Sequence, residues 1–413
     1  MMMRLSHVKN SGFSAGWMWR VILGSVFFRV LGLLSLLLIL VACSPNGQAT
    51  QGVRDIASSP TTTSRPAAPT RTTPATALPQ PAVQVTRSPV GVLPQPRVAD
   101  TQPALLTPTP AVTFTPTPDV YAGLGIEALA SRAYGDGSVE IEGLMTENSY
   151  FTRNLFRYPS DGLTIYGFAN VPKKAPQGES GKYPVVIALH GYIDPAIYQT
   201  LDYTTGYADA LARAGYIVLH PNLRGYRPSD EGDNRFRVGM AIDVLNLIAL
   251  VKQHAGLPGL LENADPQAIG LWGHSMGGGI TTRVITVSPD VKAAVLYGAM
   301  SADDQKNYER IYSYFSNGTR GLEELQAPPE AFQRISAINF LERIQAAVSI
   351  HHGKNDADVP LAWSLDLCTQ LGKLEKIVEC FTYEDQAHTF HDEGNDLFIQ
   401  RMIDFFDRTL KVK

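Results

Sequence analysis

Cysteine is scarce in this sequence, with three in 413 residues. No pair is spaced C-x-x-C, which excludes structural zinc or redox sites of that type, and three are too few for a disulfide scaffold. Positive charge is not in excess either: 35 Lys+Arg stand against 39 Asp+Glu, a net charge of −4. The broad basic field that holds nucleic acid by neutralising phosphates is therefore missing, and no nucleic-acid partner is expected. The apolar stretch at 30–42, interrupted only by Gly32 and Ser35, is shorter than the ~20 residues of a comfortable transmembrane span. No internal repeat is apparent. With 44% hydrophobic residues, the chain relies on a conventional apolar core.

The chain falls into three regions of different character. Arg4, Lys9, Arg20 and Arg29 precede the apolar stretch, which ends in Leu40-Val41-Ala42-Cys43. That ending resembles the bacterial lipobox, in which a small residue precedes a cysteine that is lipidated and becomes the new N-terminus. Residues 1–43 are thus expected to be a signal peptide, with Cys43 the lipidation site and the rest of the chain tethered to the membrane on its extracytoplasmic side. The alternative is an uncleaved anchor at 21–41 with Arg29 snorkelling. Residues 44–119 hold fifteen of the 28 prolines, many in Thr-Pro steps such as Thr107-Pro108-Thr109-Pro110. Such a segment buries too little apolar surface to offset its ordering entropy, and the sequence predicts a disordered, extended stalk. A mucin-like or partner-binding tract has the same composition.

From 120 to 413 the pattern is globular. Short apolar runs at 185–189, 216–219, 268–272, 293–297, 347–350 and 377–381 predict strands buried on both faces. Amphipathic segments at 201–214, 237–253, 277–286, 361–371 and 396–410 predict helices between them. This alternation implies an α/β fold: a mostly parallel central sheet with helices on both faces. The alternating run at 163–169 predicts antiparallel edge strands ahead of it.

Gly273-His274-Ser275-Met276-Gly277 follows the strand ending at Trp272 and opens a helix that continues with Gly278 and Gly279. A serine on so sharp a strand-to-helix turn is strained, and its neighbours two residues away must be nearly free of side chains. Ser275 is accordingly the candidate nucleophile. A serine hydroxyl needs a base, and the base a third group to orient it; in this fold the chain order is Ser, then Asp or Glu, then His. Two loops at strand ends offer them: His352-Gly353-Lys354-Asn355-Asp356-Ala357-Asp358-Val359-Pro360, and Asp385-Gln386-Ala387-His388-Thr389-Phe390.

On these motifs, together with Tyr158-Pro159-Ser160-Asp161-Gly162 and Lys182-Tyr183-Pro184-Val185-Val186, the chain from about Arg157 resembles the α/β-hydrolase superfamily. Within it, the similarity is to the catalytic domain of the prolyl oligopeptidase family and to dienelactone-hydrolase-like enzymes. The resemblance implies Asp356 as the acid, ahead of Asp358, which reads as a loop-capping carboxylate. Asp303 and Asp304 read as a solvated helix start. His388, with an aromatic two residues on at Phe390, is the implied base; His391 reads as the start of the last helix. His274 is expected to point away from the hydroxyl and His352 to support its loop. The oxyanion hole is expected from the N–H of Met276 and, through His190-Gly191-Tyr192, from the N–H of Tyr192, with its phenol as second choice. Arg224, in Asn222-Leu223-Arg224-Gly225-Tyr226, is expected to brace loops beside the site.

These residues imply a serine hydrolase that cleaves ester, amide or peptide bonds through an acyl-enzyme and needs no metal or cofactor. Peptide-digesting relatives often carry a β-propeller ahead of this domain. From Tyr121 to Tyr183 are 63 residues, little more than one blade of ~40–45 residues, so no propeller is expected there. Serine peptidase and carboxylesterase both remain open. An acyltransferase and a non-catalytic surface binding module are further alternatives, the intact Ser, Asp and His set speaking against the last. Residues 301–335 read either as a lid or as an enlarged helical crossover. Cys368 and Cys380 are near enough in sequence to be bridged, or to be two buried thiols. The sequence leaves the oligomeric state open.

Overall fold

A computed structural model of the chain describes residues 119–176 and 181–411. The expected leader at 1–43, with Cys43, and all but the last residue of the expected stalk lie outside the described residues. The strands β1 (Glu140–Glu147), β2 (Phe151–Ser160), β3 (Leu163–Pro172), β4 (Tyr183–Leu189), β5 (Ile217–Pro221), β6 (Ala264–His274), β7 (Val291–Tyr297), β8 (Ala347–Gly353) and β9 (Val378–Tyr383) form one sheet. Its order is β1-β2-β3-β5-β4-β6-β7-β8-β9. The helices are α1 (Ile126–Ser131), α2 (Thr205–Arg213), α3 (Val238–His254), α4 (Met276–Val287), α5 (Asp304–Arg310), α6 (Leu322–Leu325), α7 (Pro329–Ile335), α8 (Leu361–Lys373) and α9 (Asp392–Leu410). None of the described helices is long and apolar enough to cross a membrane.

The six strands from β4 to β9 are parallel, and the side-chain period of two divides their apolar residues between two cores. Val185, Ile187 and Leu189 of β4 face a core shared with α3, α4 and α8. Val186 and Ala188 face the opposite core, with Leu211 of α2 and Phe398, Met402 and Phe406 of α9. Helix α3 is buried nearly all round, which explains why its sequence is apolar on every face. Strand order reverses at β4, between β5 and β6, and a crevice opens at the carboxyl ends of such strands.

The antiparallel side is larger than the alternating run at 163–169 indicates. Strands β2 and β3 form a ten-residue hairpin closed by Asp161 and Gly162, both at positive φ (52° and 81°), as a two-residue Asp-Gly turn requires. Strand β1 adds an exposed edge whose side chains mostly face water, so it lacks the apolar alternation by which a strand is recognised. The opposite edge corrects an expectation: β9 is not buried on both faces. Pairing only with β8, it leaves Cys380 and Thr382 exposed.

Cys380 on β9 is disulfide-bonded to Cys368 on α8, with their Cα atoms 6.4 Å apart and the two residues twelve positions apart in sequence. The bridge staples the edge strand to the helix that precedes it. Closing a loop of this size removes denatured-state entropy worth about 2–3 kcal/mol. Replacing both cysteines by alanine should lower the urea-unfolding free energy by about that amount; an unchanged denaturation midpoint would refute a stabilising role.

Candidate active site

Ser275 sits between β6 and α4 with φ 54° and ψ −115°, a backbone conformation that side chains rarely tolerate. Such strain costs ~1–3 kcal/mol and persists only where the surroundings over-determine it. Here the Ser275 N–H donates to the Tyr297 carbonyl at 2.9 Å, and the Ser275 carbonyl accepts from Met300 N–H at 3.0 Å and Gly279 N–H at 3.2 Å. The turn is tight enough that a Cβ on Gly273 or Gly277 would lie 2.3 Å from a backbone oxygen, that of Gly277 or Leu189 respectively. Ser275 is 8% exposed, and what remains accessible opens into a cavity of about 360 Å³ that His388 also lines.

The Asp356 side chain is fully buried. Its Oδ2 accepts from His388 Nδ1 at 2.8 Å and from His352 Nε2 at 3.1 Å. Its Oδ1 accepts from the N–H groups of Asp358 (2.9 Å) and Val359 (2.8 Å). Burial pushes the carboxyl up, but hydrogen bonds from His352 and His388, the charge of His388 and the Val359 N–H together hold it well below the ordinary carboxylate range. With its Nδ1–H engaged by Asp356, the His388 ring, when it carries no second proton, presents Nε2 as a proton acceptor. His391 caps α9 and is exposed, as expected. Phe390 is buried 4.5 Å from the rings of Tyr297 and Tyr383, and its N–H donates to the Tyr297 phenol.

Two expectations about carboxylates change. The loop is capped by the second oxygen of Asp356 rather than by Asp358, whose side chain lines the cavity. Asp303 does start α5, accepting from Gln305 N–H, but Asp304 is not solvated: it is buried against Arg283 at 2.6 Å. Its neighbours in sequence are polar, so only packing against α4 removes it from water. Arg224 behaves as expected, bracing its loop through Asp243 at 2.8 Å and the Asp233 carbonyl at 2.9 Å.

His352 supports its loop, as expected, while Tyr203 and His274 have positioning parts that sequence motifs do not announce. Both groups facing His352 Nε2, the Asp356 carboxylate and the Val359 carbonyl at 3.0 Å, are acceptors, so that nitrogen carries the proton; Nδ1 lies 2.7 Å from the Ser364 hydroxyl. His274 points away from the Ser275 hydroxyl into a chain of hydrogen bonds. The Gly191 N–H donates to the Tyr203 oxygen (3.0 Å), the Tyr203 hydroxyl lies 2.6 Å from His274 Nδ1, and His274 Nε2 lies 2.9 Å from the His388 carbonyl. A carbonyl only accepts, so Nε2 holds the proton and Nδ1 accepts from Tyr203. Burial, helped by the nearby charge of His388, pushes the His274 imidazole down to about 3. The ring is therefore neutral and keeps this one tautomer. Tyr203 and His274 are 71 positions apart, which is why no local motif reveals the pair.

The Met276 N–H, first of its helix, and the Tyr192 N–H have no hydrogen-bond partner among the described residues. Both residues line the cavity with Ser275. The Tyr192 side chain is 45% exposed, with Arg320 stacked 4.7 Å from its ring and bonded to its phenol oxygen. The 301–335 segment does two things at once. Tyr308 packs into the core, while Ile311, Phe315 and Arg320 form a wall of the cavity.

Comparison with known proteins gives the family and the fold. Residues 202–413 match the prolyl oligopeptidase family. The uncharacterized peptidase YtmA of Bacillus subtilis (strain 168) is 25% identical over 252 residues, 59% of this chain and 89% of its own. The poly(3-hydroxybutyrate) depolymerase of Ralstonia pickettii is 24% identical over 148 residues, 33% of this chain and 29% of its own. Among solved structures, the acylaminoacyl peptidase of Pyrococcus horikoshii superposes with a TM-score of 0.51 at 24% identity, over 64% of this chain and 43% of that one. A puromycin-hydrolyzing peptidase of Mycobacterium tuberculosis gives 0.52 at 21% identity, over 65% and 41%. The fold is that of the α/β hydrolases, and the chain spans less than half the length of either solved peptidase.

The folded Asp356 carboxyl titrates below its ordinary value of 3.8. Its stabilisation is thus present above about pH 4 and is lost as pH falls through the folded pKa. In urea titrations from about pH 5 down to about pH 2.5, wild-type stability should fall more steeply than that of Asp356→Asn; parallel acid limbs would contradict the assigned hydrogen bonds.

Proposed function

Because the chain belongs to the prolyl oligopeptidase family and is a serine hydrolase, we propose that it is an extracytoplasmic peptidase, with Ser275, His388 and Asp356 as its catalytic residues. The observation that carries this reading is the His388–Asp356 bond of 2.8 Å, formed at the rim of the cavity into which the strained Ser275 opens. Ser275 Oγ attacks the substrate carbonyl carbon while His388 Nε2 takes its proton, and the Asp356 carboxylate stabilises the imidazolium. Negative charge on the carbonyl oxygen is met by the N–H groups of Met276 and Tyr192. The imidazolium then returns the proton to the leaving amine or alkoxide. Water, deprotonated by the same Nε2, hydrolyses the acyl-enzyme and frees Ser275.

The reading places the catalytic domain at 120–413, carried on the stalk at 44–119 and anchored through lipidated Cys43. The lipobox-like Leu40-Val41-Ala42-Cys43 supports this location, and so does the Cys368–Cys380 bridge, a bond that persists in oxidising compartments. Esterase is the second reading, favoured by the likeness to a polyester depolymerase over 148 residues. Parallel assays of the full chain on p-nitrophenyl esters and peptidyl anilides separate the two: turnover of anilides at rates near those of esters supports peptidase, ester-only turnover supports esterase. Ser275→Ala should abolish fluorophosphonate labelling and lower kcat by roughly 10⁴–10⁶-fold; undiminished labelling would remove Ser275 as the nucleophile.

A further inference from the structure

The wall of the cavity opposite this chemistry holds two arginines that the mechanism does not use. Phe236 (φ 53°) and Arg237 (φ 56°) are consecutive residues in the left-handed region, where neither is at ease. Three features hold them there. The Phe236 ring is buried, with Tyr308 at 5.4 Å, Phe332 at 5.6 Å and Tyr121 at 6.2 Å. Its carbonyl accepts from Arg283 Nη1 at 2.7 Å, and Arg283 is itself anchored by the buried Asp304. The Arg237 N–H donates to the Asn234 carbonyl at 2.9 Å. The outcome of this strain is that the Arg237 side chain lines the cavity of Ser275 and His388.

Arg320 reaches the same cavity from the turn after α5. Its N–H donates to Ser316 Oγ at 3.0 Å, and its guanidinium lies over the Tyr192 ring. Neither Arg237 nor Arg320 forms an ion pair among the described residues. Asp358 is the one carboxylate among the described residues lining this cavity, which leaves an excess of positive charge beside the nucleophile. Arg237 and Arg320 also line a second cavity of about 560 Å³, where Glu231 and Glu324 lie and where Arg224 is already neutralised by Asp243.

We propose that Arg237 and Arg320 bind a carboxylate of the substrate, so that the site prefers esters or amides carrying a free carboxylate a few bonds from the scissile carbonyl. This rests on the reading of Ser275 as nucleophile. A guanidinium is a planar fork of donors matched to a carboxylate, and two of them on one wall, Arg237 half-buried and Arg320 exposed, with no ion-pair partner among the described residues, are the complement of such a group. The carboxylate belongs either to the acyl part, as in a half-ester of a diacid, or to the leaving group, as at the free C-terminus of a peptide.

The test uses the full chain and two matched substrate pairs. p-Nitrophenyl hydrogen adipate against p-nitrophenyl methyl adipate places the charge on the acyl side; 4-acetoxybenzoate against its methyl ester places it on the leaving group. At least one pair should show a preference for the anion of about tenfold or more in kcat/KM, and the pair that does names the side. In Arg237→Met and Arg320→Met the ratio should fall towards one, with Arg237→Lys between. Because Arg237 sits in strained backbone, Arg320→Met decides if Arg237→Met does not fold. A wild-type enzyme that is labelled at Ser275 by fluorophosphonate and turns over the neutral esters, yet prefers neither anion, overturns the proposal. So does a preference that survives in the variants. Absence of labelling at Ser275 overturns the nucleophile reading, and this proposal with it.

Discussion

The buried carboxylate of Asp356 accepts four hydrogen bonds, two on each oxygen, and most of the site is arranged to supply them. Side-chain donors come from His352, at the end of β8, and from His388, in the loop after β9; backbone donors come from Asp358 and Val359. An ionised carboxylate removed from water is costly unless its lone pairs are met. Here they are met by the ring whose orientation the proposed chemistry requires and by the loop that carries the carboxylate itself. The same bonds therefore keep Asp356 ionised, fix the His388 tautomer and shape the 353–360 loop. Ser364 on α8 orients His352 in turn, and the disulfide at Cys368 ties that helix to the edge strand that leads to His388.

Ser275 is held by a different set of forces and meets the first only in the cavity. Its strained turn is fastened by backbone bonds to Tyr297 and Met300 and by the close approach of glycines to the end of β4. The neutral His274 joins the two sets, since it sits next to Ser275 in sequence and bonds the His388 carbonyl on one side and, through Tyr203, the Gly191 N–H on the other. The turns proposed to carry the base and the oxyanion donor are thus spaced by one hydrogen-bonded strap. Strain recurs at Phe236 and Arg237, again where a buried ring and a buried ion pair compel it and again on the cavity wall. The backbone departs from easy geometry where side chains must converge.

Much of this was legible without coordinates. The six parallel strands announce themselves because each is a β-branched run bounded by turns, and the Gly273-His274-Ser275-Met276-Gly277 turn because its glycines are a steric necessity. The two loops at strand ends that hold Asp356 and His388 are legible by chain order, while the choice of those two residues within the loops was implied by the family resemblance. Strand β1 was not, because its side chains face water and carry no apolar alternation. Asp304 was misread for the converse reason: a polar neighbourhood in sequence says nothing of a helix that later packs over it.

What the sequence by itself determined is the local part of the protein: which segments are strands and helices, that a serine stands on a turn too tight for side chains at either end, and that the chain order suits the α/β-hydrolase fold. These follow from steric and periodic rules that act over a few residues. Only the tertiary structure decided that Asp356, rather than Asp358, meets His388, that His274 serves as a strap, that Cys368 and Cys380 are joined, and that Arg237 and Arg320 share a wall with Ser275. Each of these depends on hydrogen bonds or packing between residues that the sheet brings together from distant parts of the chain, and the geometry of such an approach is not written in any one segment.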